Sequence, residues 1–76
     1  MLKIKLTNRS SETLMELEEH INNSTVGFAH LKTDMYDNVM FDRDEYCMVV
    51  ADSPNVIKSK LETSEFSHNI KDMKIV

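Results

Sequence analysis

Asp42-Arg43-Asp44-Glu45-Tyr46-Cys47-Met48-Val49-Val50-Ala51-Asp52-Ser53-Pro54 is the stretch that decides how this chain folds. Four consecutive charged residues do not suit a buried element, so Asp42 to Glu45 reads as a turn. The apolar run Tyr46 to Ala51 reads as a buried strand. Asp52-Ser53-Pro54 then opens a helix, because Asp or Ser can cap exposed backbone N–H groups and Pro fits the first helical position without losing a hydrogen bond. Turn, strand and helix start within 13 residues leave little room for any class but mixed α and β.

Towards the C-terminus, Val56, Ile57 and Leu61 give the helix an apolar side. Between Glu62 and His68 the sequence offers no clean stop. Ile70 to Val76 reads as a closing strand, with Met73 and Ile75 opposite Asp72 and Lys74. Before the turn, Val39, Met40 and Phe41 read as a short strand, the alternative being one long bulged strand through Asp42 to Glu45. Thr33 to Asn38 is rich in turn formers.

The N-terminal third is clearer. Leu2, Ile4 and Leu6 alternate with Lys3, Lys5 and Thr7, the period of a half-buried strand. Asn8 to Ser11 supply turn and capping chemistry, Glu12 sits where a helix dipole favours it, and Leu14, Leu17 and Ile21 recur at helical spacing. This helix should end near Asn22 and Asn23. Thr25 to Lys32 follows as a second strand, with Val26 and Phe28 on one side and Ala29 and Leu31 on the other. The order βαββαβ predicts an α+β, ferredoxin-like split βαβ fold over residues 1–76 as a single domain, its antiparallel sheet covered by two helices on one face.

A chain of 76 residues buries a small core, and domains of this size often gain stability from a disulfide, a metal or a partner subunit. Cys47, the single cysteine, cannot close an intramolecular disulfide and reads as a small buried hydrophobe. A homodimer is therefore expected, with the open sheet face as the natural place for the second copy or another protein, and the six methionines suit an adaptable apolar surface. No apolar run approaches the length of a membrane span and no secretion signal is visible, which leads to the expectation of a soluble protein in the reducing cytoplasm.

The net charge is −4, but residues 12 to 52 carry −8 while the N-terminal 11 residues carry +3. Such a balance disfavours direct binding of nucleic acid and favours a basic partner. RNA-recognition modules share the strand and helix order, yet Tyr46 to Val50 is preceded by carboxylates and lacks the glycines and cations of their base-reading motif.

Catalytic signatures are missing. His20, His30, His68 and Cys47 are scattered without metal-ligand spacing. Asp42 and Asp44 begin a calcium-loop pattern that fails at Tyr46, Cys47 and Ser53. Gly27, the single glycine, cannot build a phosphate-cradling loop. The expectation is a non-enzymatic protein with no cofactor and no metal.

What remains is the carboxylates. Glu12, Glu16 and Glu19 share one face of the first helix, and Asp34, Asp37, Asp42, Asp44 and Glu45 crowd the loops around the middle strands. Together they are the candidate partner-binding residues, presented to a basic surface as a run of DNA phosphates would be. A very short acidic chain rich in Asn, Lys, Asp and Met, without an enzyme motif, resembles the early host-takeover proteins of bacteriophages. Some of those are DNA mimics that inhibit replication or repair proteins, the sliding clamp among them, by filling a basic channel. The resemblance implies an inhibitor acting in the host cytoplasm on a basic, DNA-handling host protein. The alternative expectation is a small-molecule-binding regulatory module of the same topology, with ligand held between paired domains.

Overall fold

The alternation of Leu2, Ile4 and Leu6 with two lysines becomes the central strand of the molecule. In the computed structural model, which describes residues 1–24 and 27–76, β1 (Leu2–Leu6) is followed by α1 (Ser11–Ser24), β2 (Ala29–Leu31), β3 (Tyr46–Ala51), α2 (Pro54–Glu62), a 3-10 turn (Glu65–Asn69) and β4 (Ile70–Ile75). The strands lie in the order β2-β3-β1-β4 and every neighbouring pair is antiparallel. This is the ferredoxin-like arrangement expected from the sequence.

Both helices cover the side of the sheet to which Leu2, Ile4 and Leu6 point. Those residues pack with Cys47 and Val49 from β3, Leu17 and Ile21 from α1, and Ile57 and Leu61 from α2. Ser10 starts α1: its Oγ accepts the Thr13 N–H at 3.2 Å, while the Ser10 N–H donates to Asn8 Oδ1 at 2.7 Å, so two otherwise free donors are satisfied. Pro54 occupies the first turn of α2 as expected, but Ser53 makes no side-chain cap there. Asp52 turns away as well, its carboxylate accepting the Phe28 N–H at 3.1 Å. A Cβ on Gly27 would collide with that carboxylate, so glycine at this point permits a close approach rather than an unusual turn.

The second strand is shorter than expected. Ladder pairing is confined to Ala29–Leu31, and Thr25 and Val26 of the expected strand lie outside the described residues. Val39 to Phe41 is likewise no full strand, contributing two isolated bridges, Thr33 to Val39 and Phe41 to Cys47. The reason is a pair of tight turns that leave too little chain between them for a ladder. In each, an aspartate opens the turn: Asp34 Oδ1 accepts the N–H groups of Tyr36 and Asn38 at 2.8 and 3.0 Å, and Asp42 Oδ1 those of Asp44 and Tyr46 at 2.9 and 3.0 Å. In each, the residue three positions on is left-handed, Asp37 at φ 65° and Glu45 at φ 70°.

The stretch without a stop signal resolves in an orderly way. Thr63 and Ser64 direct their hydroxyls back to carbonyls of α2, at 3.2 Å to Ser59 and Lys60 and 2.8 Å to Leu61. The 3-10 turn then drives Phe66 into the core, where it is 2% exposed and packs 5.3 Å from the His20 ring. A buried phenylalanine cut to alanine typically costs about 3–5 kcal/mol. Phe66→Ala should therefore remove most of the stability of so small a domain in urea titration. Glu45→Gly is expected to act oppositely: relieving a left-handed non-glycine residue should raise stability by about 1 kcal/mol, visible as a higher thermal midpoint.

Candidate functional site

Strand alternation decides which side chains reach the uncovered face of the sheet. Opposite Leu2, Ile4 and Leu6 stand Lys3 and Lys5; register pairs Lys3 with Met48 and Lys5 with Tyr46 on one side, and Lys3 with Lys74 and Lys5 with Asp72 on the other. His30 pairs with Val50 on the same face, and Phe28 stacks on His30 at 6.2 Å between ring centroids. The open face thus has an apolar, aromatic half over β2 and β3 and a cationic half over β1 and β4.

Tyr46 is the hub of the cationic half. The ammonium groups of Lys74, Lys5 and Lys3 lie 4.6, 5.7 and 6.0 Å from its ring centre, within the range where a ring face attracts a cation. Its hydroxyl donates to Asp72 Oδ2 at 2.5 Å. That hydrogen bond, with burial and the nearby carboxylates adding to it, pushes the phenol above its ordinary value of 10.0. Lys3 also donates to Asp42 Oδ2 at 2.7 Å; this contact first, then the turn N–H groups, holds the Asp42 carboxyl below its ordinary range. Asp34 is lowered by the backbone N–H groups of Asn38 and Tyr36.

The expected partner-binding carboxylates therefore divide by role. Asp34 and Asp42 are occupied within their own turns, and Asp42 also in the contact with Lys3. Asp44 and Glu45 are exposed in the second turn, with Glu45 3.9 Å from Arg9. Glu12, Glu16 and Glu19 stand together on the exposed side of α1, opposite the buried Thr13, Leu17, Ile21 and Ser24. Asp37 joins them indirectly, since it and Glu18 line the same open groove of about 230 Å³ with Met15 and Val39. A second groove of about 280 Å³ is lined by Glu16, Glu19, His20 and Asn23. The eight residues do not form one patch: the α1 carboxylates and Asp37 flank the helix, whereas Asp42 belongs to the lysine side.

Lys3, Lys5 and Lys74 were visible to sequence reading only as outward positions of strands, and Tyr46 only as the start of a buried one; their convergence depends on β1 lying between β3 and β4. Among the described residues no group of three or more His, Cys, Asp or Glu side chains is placed to hold a metal ion, and no helix is long and apolar enough to cross a membrane. Compared with models of protein families, with curated proteins and with solved structures, the chain matches none.

Cys47 is buried on the helix side and its thiol donates to Ile4 O at 3.4 Å. Burial raises its pKa to about 11, which leaves little thiolate at neutral pH. Alkylation by iodoacetamide should accordingly proceed only at the rate of global opening, as urea titration of the labelling rate would show; rapid labelling of folded protein would contradict this burial. The raised phenol of Tyr46 has its own signature. A group that holds its proton more tightly when folded contributes stability that is complete below its unfolded value and lost as pH rises through the folded one. Stability should therefore decline above about pH 10, and Tyr46→Phe should flatten that decline relative to wild type in urea titrations across the range.

Proposed function

We propose that this chain is a non-catalytic interaction protein that uses the exposed face of α1 to occupy a basic surface on a DNA-handling host protein. The observation that carries the reading is the segregation of charge. α1 contains four glutamates and no lysine or arginine, while the cations of β1 and β4 gather on the opposite side of the sheet. Glu12, Glu16 and Glu19 fall within a sector of about 60° at ~100° per residue. Those three carboxylates span about 10 Å of helix axis at ~1.5 Å rise, roughly one per 5 Å against the ~3.4 Å charge spacing along one DNA strand. Glu18 adds a fourth negative charge on an adjoining side of the helix.

A basic DNA-binding groove attracts such a row by the same long-range field that attracts phosphates. Met15, 71% exposed on the flank of this sector, adds an adaptable apolar contact beside the row. The loop carboxylates contribute less in this reading, because Asp34 and Asp42 are committed to their turns. No observation among the described residues favours the small-molecule alternative.

Replacing Glu12, Glu16 and Glu19 together by lysine should abolish salt-sensitive capture of DNA-handling proteins from bacterial lysate, and displacement of DNA from a purified sliding clamp, with circular dichroism unchanged. Wild-type binding should weaken steeply as ionic strength rises from about 0.05 to 0.5 M. Capture that survives the triple reversal at full strength, or that ignores salt, would remove α1 as the binding face. Reversing Asp42 is not an equivalent test, because it breaks the contact with Lys3 and the turn before β3.

A further inference from the structure

The sheet ends on two unequal edges. β2 is only three residues long, and just past its end the returning chain closes in, with the Met40 N–H donating to Lys32 O at 3.1 Å and Thr33 bridged to Val39. β4 is six residues long, and among the described residues no strand pairs with its outer side. An uncovered edge of that length is a template for another strand.

Which groups face outward follows from the pairing with β1. The Val76 N–H donates to Met1 O at 2.9 Å and the Met1 amino group to Val76 O at 3.1 Å, so these two residues form a hydrogen-bonded pair. Antiparallel pairs alternate in type. Along the register Leu2 to Ile75, Lys3 to Lys74, Ile4 to Met73 and Lys5 to Asp72, the backbone groups of Lys74 and Asp72 therefore turn inward and those of Met73 and Ile75 turn outward.

We propose that β4 pairs antiparallel with β4 of a second copy about a two-fold axis at Met73, continuing one sheet through both chains. In this register Met73 meets Met73 as a hydrogen-bonded pair. Asp72 faces Lys74 of the second copy and Lys74 faces its Asp72, both as non-hydrogen-bonded pairs, the kind in which side chains approach most closely. An axis at Asp72 would oppose two aspartates, and an axis at Lys74 or Lys71 two lysines. An axis at Ile75 would leave almost no overlap. Charge complementarity selects Met73.

Both side chains are ready for that contact. Tyr46 uses Asp72 Oδ2, which leaves Oδ1 for a cation. Lys74 lies over the Tyr46 ring and directly opposite another cation, Lys3, whose charge is already taken by Asp42. A carboxylate from across the edge neutralises it. On the helix side, Ile75, 40% exposed, and half-buried Met73 gain cover from the same residues of the second copy and from the stem of Lys71. The bulge between Lys5 and Leu6 makes Lys71 the extra residue of β4, so pairing is firmest from Asp72 to Ile75. Neither the α1 face nor its partner enters this interface, so the two proposals stand or fall separately.

Sedimentation equilibrium of Asp72→Lys and Lys74→Asp, each alone and then mixed, tests the register. Wild type should dimerise, and each variant alone should associate about tenfold more weakly or worse, because both symmetric pairs become like-charged. The equal mixture should recover, since both contacts then oppose a cation to an anion. Met73→Pro removes an outward N–H that β1 does not use and should yield a monomer with native circular dichroism. It keeps the test intact should Asp72→Lys, which also loses the Tyr46 contact, fail to fold. A wild-type chain that stays monomeric to ~1 mM, a dimer indifferent to Met73→Pro and to the reversals, or folded variants that do not recover on mixing would each overturn the proposal.

Discussion

The antiparallel pairing of β1 with both β3 and β4 is the constraint on which the rest of the molecule depends. Leu2 and Ile4 are fully buried, and the strand that carries them is hydrogen-bonded on both sides. Its alternation fixes what its neighbours can present. Because the side-chain period of a strand is two residues, a slip of one position in either pairing would turn the apolar row outward and bury Lys3 and Lys5. The cost of burying two ammonium groups without partners makes that register unavailable. The same five residues therefore specify the core on one side and the cationic face on the other.

Fold and site were not equally legible in the sequence. The element order was, because each element has a local cause: alternation in Leu2 to Thr7, a serine cap before Glu12, and Asp52-Ser53-Pro54 at the start of α2. Boundaries governed by distant residues were not. β2 is cut short because Lys32 already shares its backbone groups, its N–H with Met48 and its carbonyl with Met40. Phe66 was hidden in a segment with no helical or strand period, since a 3-10 turn leaves no recurring pattern over so few residues.

The acidic residues show how chemistry read without coordinates can mix two roles. Asp34 and Asp42 are of the same residue type as Asp37 and Asp44, and all four lie in loops. Only the backbone decides that the first of each pair accepts two N–H groups and holds a turn, as Asx residues commonly do. The α1 glutamates were separable in advance, because helical spacing alone puts Glu12, Glu16 and Glu19 together. The lysine cluster was not, since Lys3, Lys5 and Lys74 come from opposite ends of the chain and meet only through strand order.

Charge segregation in so small a protein has a physical cost that the sheet resolves locally. Lys3 stands directly opposite Lys74, a repulsive pair on an antiparallel ladder, and Lys5 lies one position along the same face. Three devices offset the repulsion: the Tyr46 ring beneath the three ammonium groups, Asp42 drawn in by its turn to reach Lys3, and Asp72 opposite Lys5. The turn that opens with Asp42 thus does more than connect strands. It orients one carboxylate at two N–H groups and a lysine at once, tying the β2–β3 connection to the central strand. Lys74 lies close over the Tyr46 ring but forms no ion pair among the described residues, and it stands on the free edge strand. Its charge is therefore open to a carboxylate from another molecule.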